Sequence, residues 1–172
     1  MRRTLLGLCV CLAGCSGNKD PKVPGEALGT YSVVASLDSS SCGPGALGSS
    51  DLWEFQVKLS QDGHDLYWLN GAEAIAGDLA ADGVSFGFDS HVVVPVIEPA
   101  KGQPGCSMAR TDTGSGQLSS AAPPVEGFQG TLRYGFQPLA GSDCQPLLAV
   151  EGGFHALPCE MTYAMKAART GD

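Results

Sequence analysis

The sequence predicts an all-β domain of about eight short antiparallel strands, closed as a small antiparallel barrel or stacked as a sandwich. Three observations predict it. Runs with apolar residues at every second position recur along the chain. Asp-Gly and Gly-rich segments separate these runs at fairly even spacing. Only Glu160 to Arg169, with its Ala and Met, has the composition of a short helix, here a C-terminal one.

Tyr31, Val33, Ala35 and Leu37 alternate with Ser32, Val34 and Ser36 and form the first strand. Trp53, Phe55, Val57 and Leu59 alternate with Glu54, Gln56 and Lys58, the cleanest two-residue period in the chain. Gln61-Asp62-Gly63-His64 is a turn, so Leu66 to Leu69 returns as the second arm of a hairpin. After the turn Ala81-Asp82-Gly83, Val84, Phe86 and Phe88 face one way. Val92 to Ile97 is an apolar run holding Pro95, which predicts an edge or irregular strand because proline cannot donate to a ladder. Cys106 to Thr111 reads as a strand, and Gly114 to Glu126, with Pro123-Pro124, reads as a loop. Phe128, Leu132, Tyr134 and Phe136 share the next face. Leu147 to Val150 and Met161 to Met165 complete the set, the latter unless the C-terminal helix forms.

The 172 residues carry 10 Lys+Arg against 18 Asp+Glu, a net charge of −8. Such acidity opposes nucleic-acid binding, which needs cations on phosphates, and favours solubility. Seven cysteines are present. Cys42, Cys106, Cys144 and Cys159 lie in the β-rich region, and no two have Cys-x-x-Cys spacing, so two disulfides are expected rather than a zinc site. Cys144 and Cys159 flank a compact excursion with a Gly152-Gly153 turn, which predicts the pairs Cys144–Cys159 and, by elimination, Cys42–Cys106.

The first residues have a separate logic. Arg2 and Arg3 precede a short apolar run, Leu5 to Leu12, too short to span a bilayer. A basic start, a short apolar stretch and small residues at its end make an export signal. Arg2-Arg3-Thr4-Leu5-Leu6 loosely resembles a twin-arginine signal, but ordinary positive charges of a general secretory signal are the preferred reading. Leu12-Ala13-Gly14-Cys15 resembles the lipobox of type II bacterial signal peptides at all four positions. That resemblance implies cleavage before Cys15, lipidation of Cys15, and anchoring to a membrane by its acyl chains. Ser16 in place of Asp implies sorting to the outer rather than the inner membrane. The expected organisation is then a signal peptide over 1–14, a lipidated Cys and polar tether over 15–27, and one β-domain over 28–170. The mature chain would carry a net charge of −10, since cleavage removes Arg2 and Arg3.

Gly29-x-Tyr31 resembles the Gly-x-Trp that opens lipocalin domains, with Tyr in place of Trp. This is a likeness of architecture alone.

Gly83-Val84-Ser85-Phe86-Gly87 matches the Gly-x-Ser-x-Gly of hydrolases, and Asp143 and His155 follow in hydrolase order. The strand-to-helix turn that chemistry needs is absent, so Ser85 reads as a strand serine. His64, His91 and His155 are far apart and lack ligand spacing. Asp62, Asp65, Asp78, Asp82 and Asp89 lack the calcium-loop pattern and read as turn residues. Trp53, Tyr67, Trp68, Phe86, Phe88, Tyr134 and Phe136 either fill a core or line a cavity. The expected function is therefore non-enzymatic and needs no cofactor or metal. The partners expected are a membrane, through the lipid on Cys15, and either an envelope protein or a small apolar ligand. The alternatives are an interaction module with a solid core and a small serine hydrolase.

Overall fold

In a computed structural model, residues 24–44, 46, 51–71, 73–148 and 153–171 are described. Eight antiparallel strands follow one another round a closed barrel, each beside its neighbour in sequence. They are β1 (Glu26–Ser40), β2 (Leu52–Asp62), β3 (Asp65–Leu69), β4 (Ile75–Leu79), β5 (Ser85–Ile97), β6 (Cys106–Leu118), β7 (Gly127–Pro138) and β8 (Cys159–Gly171). β8 pairs back onto β1 and closes the ring. A sandwich is thereby excluded.

The two-residue period decides what lies inside. Tyr31, Val33 and Ala35 of β1 and Val57 and Leu59 of β2 are buried, and their odd-numbered register continues in Met161, Tyr163 and Met165 of β8. Opposite them, β5, β6 and β7 turn even-numbered residues inward: Phe86, Phe88, Met108, Phe128, Tyr134 and Phe136. Gly116 of β6 pairs with Gly130 of β7. A Cβ on Gly116 would lie 2.8 Å from the tip of the Phe86 ring, so the barrel wall is thinned where aromatic rings need the room.

One end, called the lower end here, is sealed. Tyr31, Trp68, Phe86 and Phe128 fill it, with Phe128 centred 5.5 to 5.7 Å from the other three rings. The segment after β6 folds beneath them and buries Val125 completely. The Tyr31 hydroxyl donates to the Val125 carbonyl at 2.9 Å. Both the start of β1 and the end of β8 are at this end.

Several expectations need correction. Glu160 to Arg169 is strand, not helix: β1 and β7 offer hydrogen-bonding edges on both sides, and this outweighs the helical propensity of Ala and Met. Gly114 to Leu118, expected as loop, continues β6, paired on both sides. Leu147 and Leu148, expected as strand, end a one-turn helix α1 (Gln145–Leu148). Ala149 and Val150 lie outside the described residues. β1 begins at Glu26, two residues inside the stretch expected as tether. The proposed signal, Cys15 and the tether up to Val23 lie outside the described residues.

The disulfide pairing is also corrected. The bonds are Cys42–Cys159 and Cys106–Cys144. Both staple the upper end, and topology explains both. β1 pairs with β8, so the residue just after β1 meets the residue that opens β8. β6 pairs with β7, so the chain leaving β7 passes the residue that opens β6. Asp143 donates its N–H to the Gly105 carbonyl at 3.0 Å, which holds Cys144 against Cys106. Cys144 and Cys159 are not bonded to each other, because they belong to different strand junctions.

Candidate functional site: a gap in the upper wall

β3 and β4 have 5 residues each, whereas β2 has 11 and β5 has 13. β3 pairs with β2 only over Lys58 to Asp62, and β4 pairs with β5 only over Phe86 to Phe88. Above that level the strands flanking the hairpin run on alone. Among the described residues, Trp53 to Val57 of β2 has a partner strand only on the β1 side, and Asp89 to Ile97 of β5 has one only on the β6 side. Among the described residues the ring is complete below and lacks two strands' width of wall above.

Inward-facing side chains are therefore exposed at this gap. Val92 is 45% exposed, Val94 38% and Trp53 38%. Such exposure is unusual for residues whose register places them inside a barrel. Trp53 does not hang free: its ring is centred 5.0 Å from Phe55, 6.0 Å from Tyr134 and 6.3 Å from Tyr163. The rings of β2, β7 and β8 thus form one aromatic wall facing the gap.

The strand adjoining this wall carries charge. Arg110 and Asp112 of β6 occupy inward positions between Met108 and Gly114. Arg110 donates Nε to Asp112 Oδ1 at 2.6 Å and Nη2 to Oδ2 at 2.5 Å, a two-pronged ion pair within one strand. Its guanidinium lies over the Tyr134 ring. Partial burial opposes the charge on Arg110, but the hydrogen bond and charge of Asp112 win and hold its pKa above the usual value. Burial first, and the Asp112 charge second, push the Tyr134 hydroxyl well above the usual tyrosine range. Burial also raises Tyr163, helped by the Asp51 charge at the rim. Both phenols therefore remain neutral hydrogen-bond donors at ordinary pH.

Behind the gap Trp68, Ile75, Phe88, Ser90, Asp112 and Leu132 line a cavity of about 40 Å³. That is room for roughly three water-sized groups. It suits a chain tip or the edge of a ring rather than a whole lipid, so this pocket is far from a deep lipocalin-like calyx.

The other sequence candidates separate. Ser85 opens β5 at the lower end and donates its hydroxyl to Asp82 at 2.6 Å. The Asp82 carboxyl is lowered by that bond and by the backbone N–H groups of Ser85 and Val84. His155 is at the upper end, its N–H bonded to the Cys42 carbonyl. Asp143 accepts from the Gln145 N–H beside the helix. The barrel's length thus separates Ser85 from His155 and Asp143. His91 lies outside the barrel wall, between Asp89 at 2.9 Å and Thr111 at 3.0 Å. His64 belongs to the lower β2–β3 turn. Among the described residues no three His, Cys, Asp or Glu side chains gather as a metal site. Of the aromatic candidates, Tyr67 faces away from the core, and Trp53 and Tyr134 belong to the gap.

Sequence reasoning missed Arg110, Asp112, Val92 and Val94 as site residues. The alternation carrying Met108 inward carries Arg110 and Asp112 inward too, and that signal was present. Comparison with protein-family models, with curated proteins and with solved structures gives no match, so the case for this site rests on its geometry.

Proposed function

We propose that this chain is a lipid-anchored envelope lipoprotein, sorted to the outer membrane, whose barrel binds an apolar group at the gap between β2 and β5. The binding is non-enzymatic. One observation carries it: Trp53, Val92 and Val94 face inward yet stand open to solvent beside an aromatic wall and a charged pair. Apolar surface with a few placed polar groups is the usual composition of a ligand site. The lipobox supports the anchor. The tether would enter β1 at the lower end, on the order of 30 Å along the barrel from the top of the gap, given ordinary strand rise and tilt. The gap would then face away from the membrane holding the protein, toward ligands arriving from the aqueous side.

Two experiments test this. Labelled palmitate should enter the wild-type chain and not Cys15→Ser, which should also leave the membrane fraction; palmitate incorporation into Cys15→Ser would refute the anchor. The full exported chain in nanodiscs, titrated with 4-phenyl-1-butanol against empty nanodiscs, should show a saturable change in tryptophan emission. Trp53→Phe should remove most of that change, and Val92→Asp should weaken binding about tenfold, a loss of about 1.4 kcal/mol. No saturable signal, or one indifferent to Val92→Asp, would refute the site.

A further inference from the structure

The gap exposes more than side chains. Over Asp89 to Ile97, β5 has a partner strand on its β6 side only, among the described residues. Every second residue along such an edge turns its N–H and C=O outward, and backbone groups of this kind pair readily with an added strand. Val92 and Val94 stand two residues apart on the inner side of this edge, the spacing at which a neighbouring strand presents its own inward side chains. Where β3 and β4 fall short, β2 and β5 are about three strand spacings apart, roughly 14 Å. An extended segment fits there without displacing the wall.

The charge around the gap selects the occupant. Asp51, Glu54, Glu73, Asp89 and Glu98 are all exposed at its borders. Of the nearby cations, Arg110 is neutralised by Asp112, Lys58 at the foot of the gap has an interaction of its own, and Lys101 sits on the turn beyond Ile97. A second copy of this chain is a poor occupant. Two β5 edges brought together would set the same carboxylates against one another, and Pro95 would supply no N–H.

We propose that the gap accepts one extended segment of a partner polypeptide, alternating apolar and basic residues, which adds to the free edge of β5 over Ser90 to Val94. Its apolar side chains cover Val92, Val94 and Trp53, and its basic side chains meet the acidic border. Backbone pairing supplies affinity and the alternate side chains supply selectivity, as in strand addition generally. This inference rests on the apolar gap being a binding site and names the class of molecule that fills it.

The test uses the full exported chain in nanodiscs of phosphatidylcholine, whose neutral headgroups do not attract a basic peptide. The probe is a labelled peptide of four Val-Lys repeats, blocked at both ends and followed by fluorescence anisotropy. It should bind saturably and perturb Trp53 emission. A peptide of four Val-Glu repeats should bind at least about tenfold more weakly, and N-methylation of alternate amides along one edge should cost a similar factor. Val92→Lys should weaken binding of the Val-Lys peptide. The proposal is overturned if the two peptides bind equally or not at all, if N-methylation is without effect on both edges alike, or if light scattering shows a dimer that the peptide does not dissociate. If 4-phenyl-1-butanol still saturates the gap while no peptide binds, the apolar site stands and the polypeptide occupant falls. If neither binds, both fall.

Discussion

The guanidinium of Arg110 lies 5.0 Å from the centre of the Tyr134 ring while its Nε–Nη2 edge is occupied by two hydrogen bonds to Asp112. A cation held this way is fixed in direction, and the phenol beneath it shares the arrangement. The side chains of Arg110 and Asp112 remain 34% and 21% exposed, so solvent screens part of their attraction. Replacing Arg110 with Met and Asp112 with Asn, singly and together, should give a coupling of about 1 kcal/mol in urea unfolding, between the values of exposed and buried pairs. A coupling indistinguishable from zero would show that the pair orients the site without stabilising the fold.

Alkali should find Tyr31. Burial raises its hydroxyl to about 12, against an ordinary value of 10.0. The folded state therefore holds this proton more tightly than the unfolded chain does. The associated stability is complete below pH 10 and declines as pH rises toward about 12, because the unfolded chain ionises first. Urea midpoints measured from pH 9 upward should fall once pH 10 is passed, and fall less steeply in Tyr31→Phe. That variant should cost about 1 kcal/mol at neutral pH, since it removes the donor to Val125 while keeping the ring. Equal slopes for both proteins would remove Tyr31 from the account.

Non-reducing peptide maps should recover Cys42 with Cys159 and Cys106 with Cys144. The bonds span 117 and 38 residues. On chain-entropy grounds, opening the longer alone should cost up to about 5 kcal/mol, and the shorter up to about 4. The Cys42→Ala, Cys159→Ala double variant should therefore have the lower thermal midpoint. The reverse order would mean that closing the ring through β1 and β8 depends little on the covalent link.

Gly116→Ala should be costly although it adds one methyl group. Its Cβ would collide with the Gln129 carbonyl oxygen and come 2.8 Å from the Phe86 ring. A loss of about 1 to 3 kcal/mol in chemical denaturation is expected, the usual cost of overfilling a packed interior. Phe86→Leu in the same chain should recover part of it.

Much of the barrel was legible because its strands have one wet face. Trp53 to Leu59 and Phe128 to Phe136 show the alternation plainly, since every second side chain meets water. Gly114 to Leu118 hid because two of its inward positions, Gly114 and Gly116, carry hydrogen atoms instead of side chains. The rings that fill that space come from β5 and β7, and a single strand read alone cannot show what its neighbours supply. The disulfides were misassigned for a related reason. Separation along the chain suggested a local loop, whereas ring closure makes the first and last strands neighbours. Arg110 and Asp112 were legible by parity. The gap was legible only as a mismatch of lengths, with Leu66 to Leu69 too short to cover the strand that ends at Ile97.

The two bonds are nested, with Cys106 and Cys144 both between Cys42 and Cys159. A single backbone cut anywhere from residue 43 to residue 158 therefore cannot release a fragment. Whichever side of Cys106 or Cys144 a protease reaches, the piece carrying Cys42 stays bonded to the piece carrying Cys159. The molecule can be nicked in any of its upper connections, or in the turn beneath Tyr31, and keep its full mass until a reductant arrives.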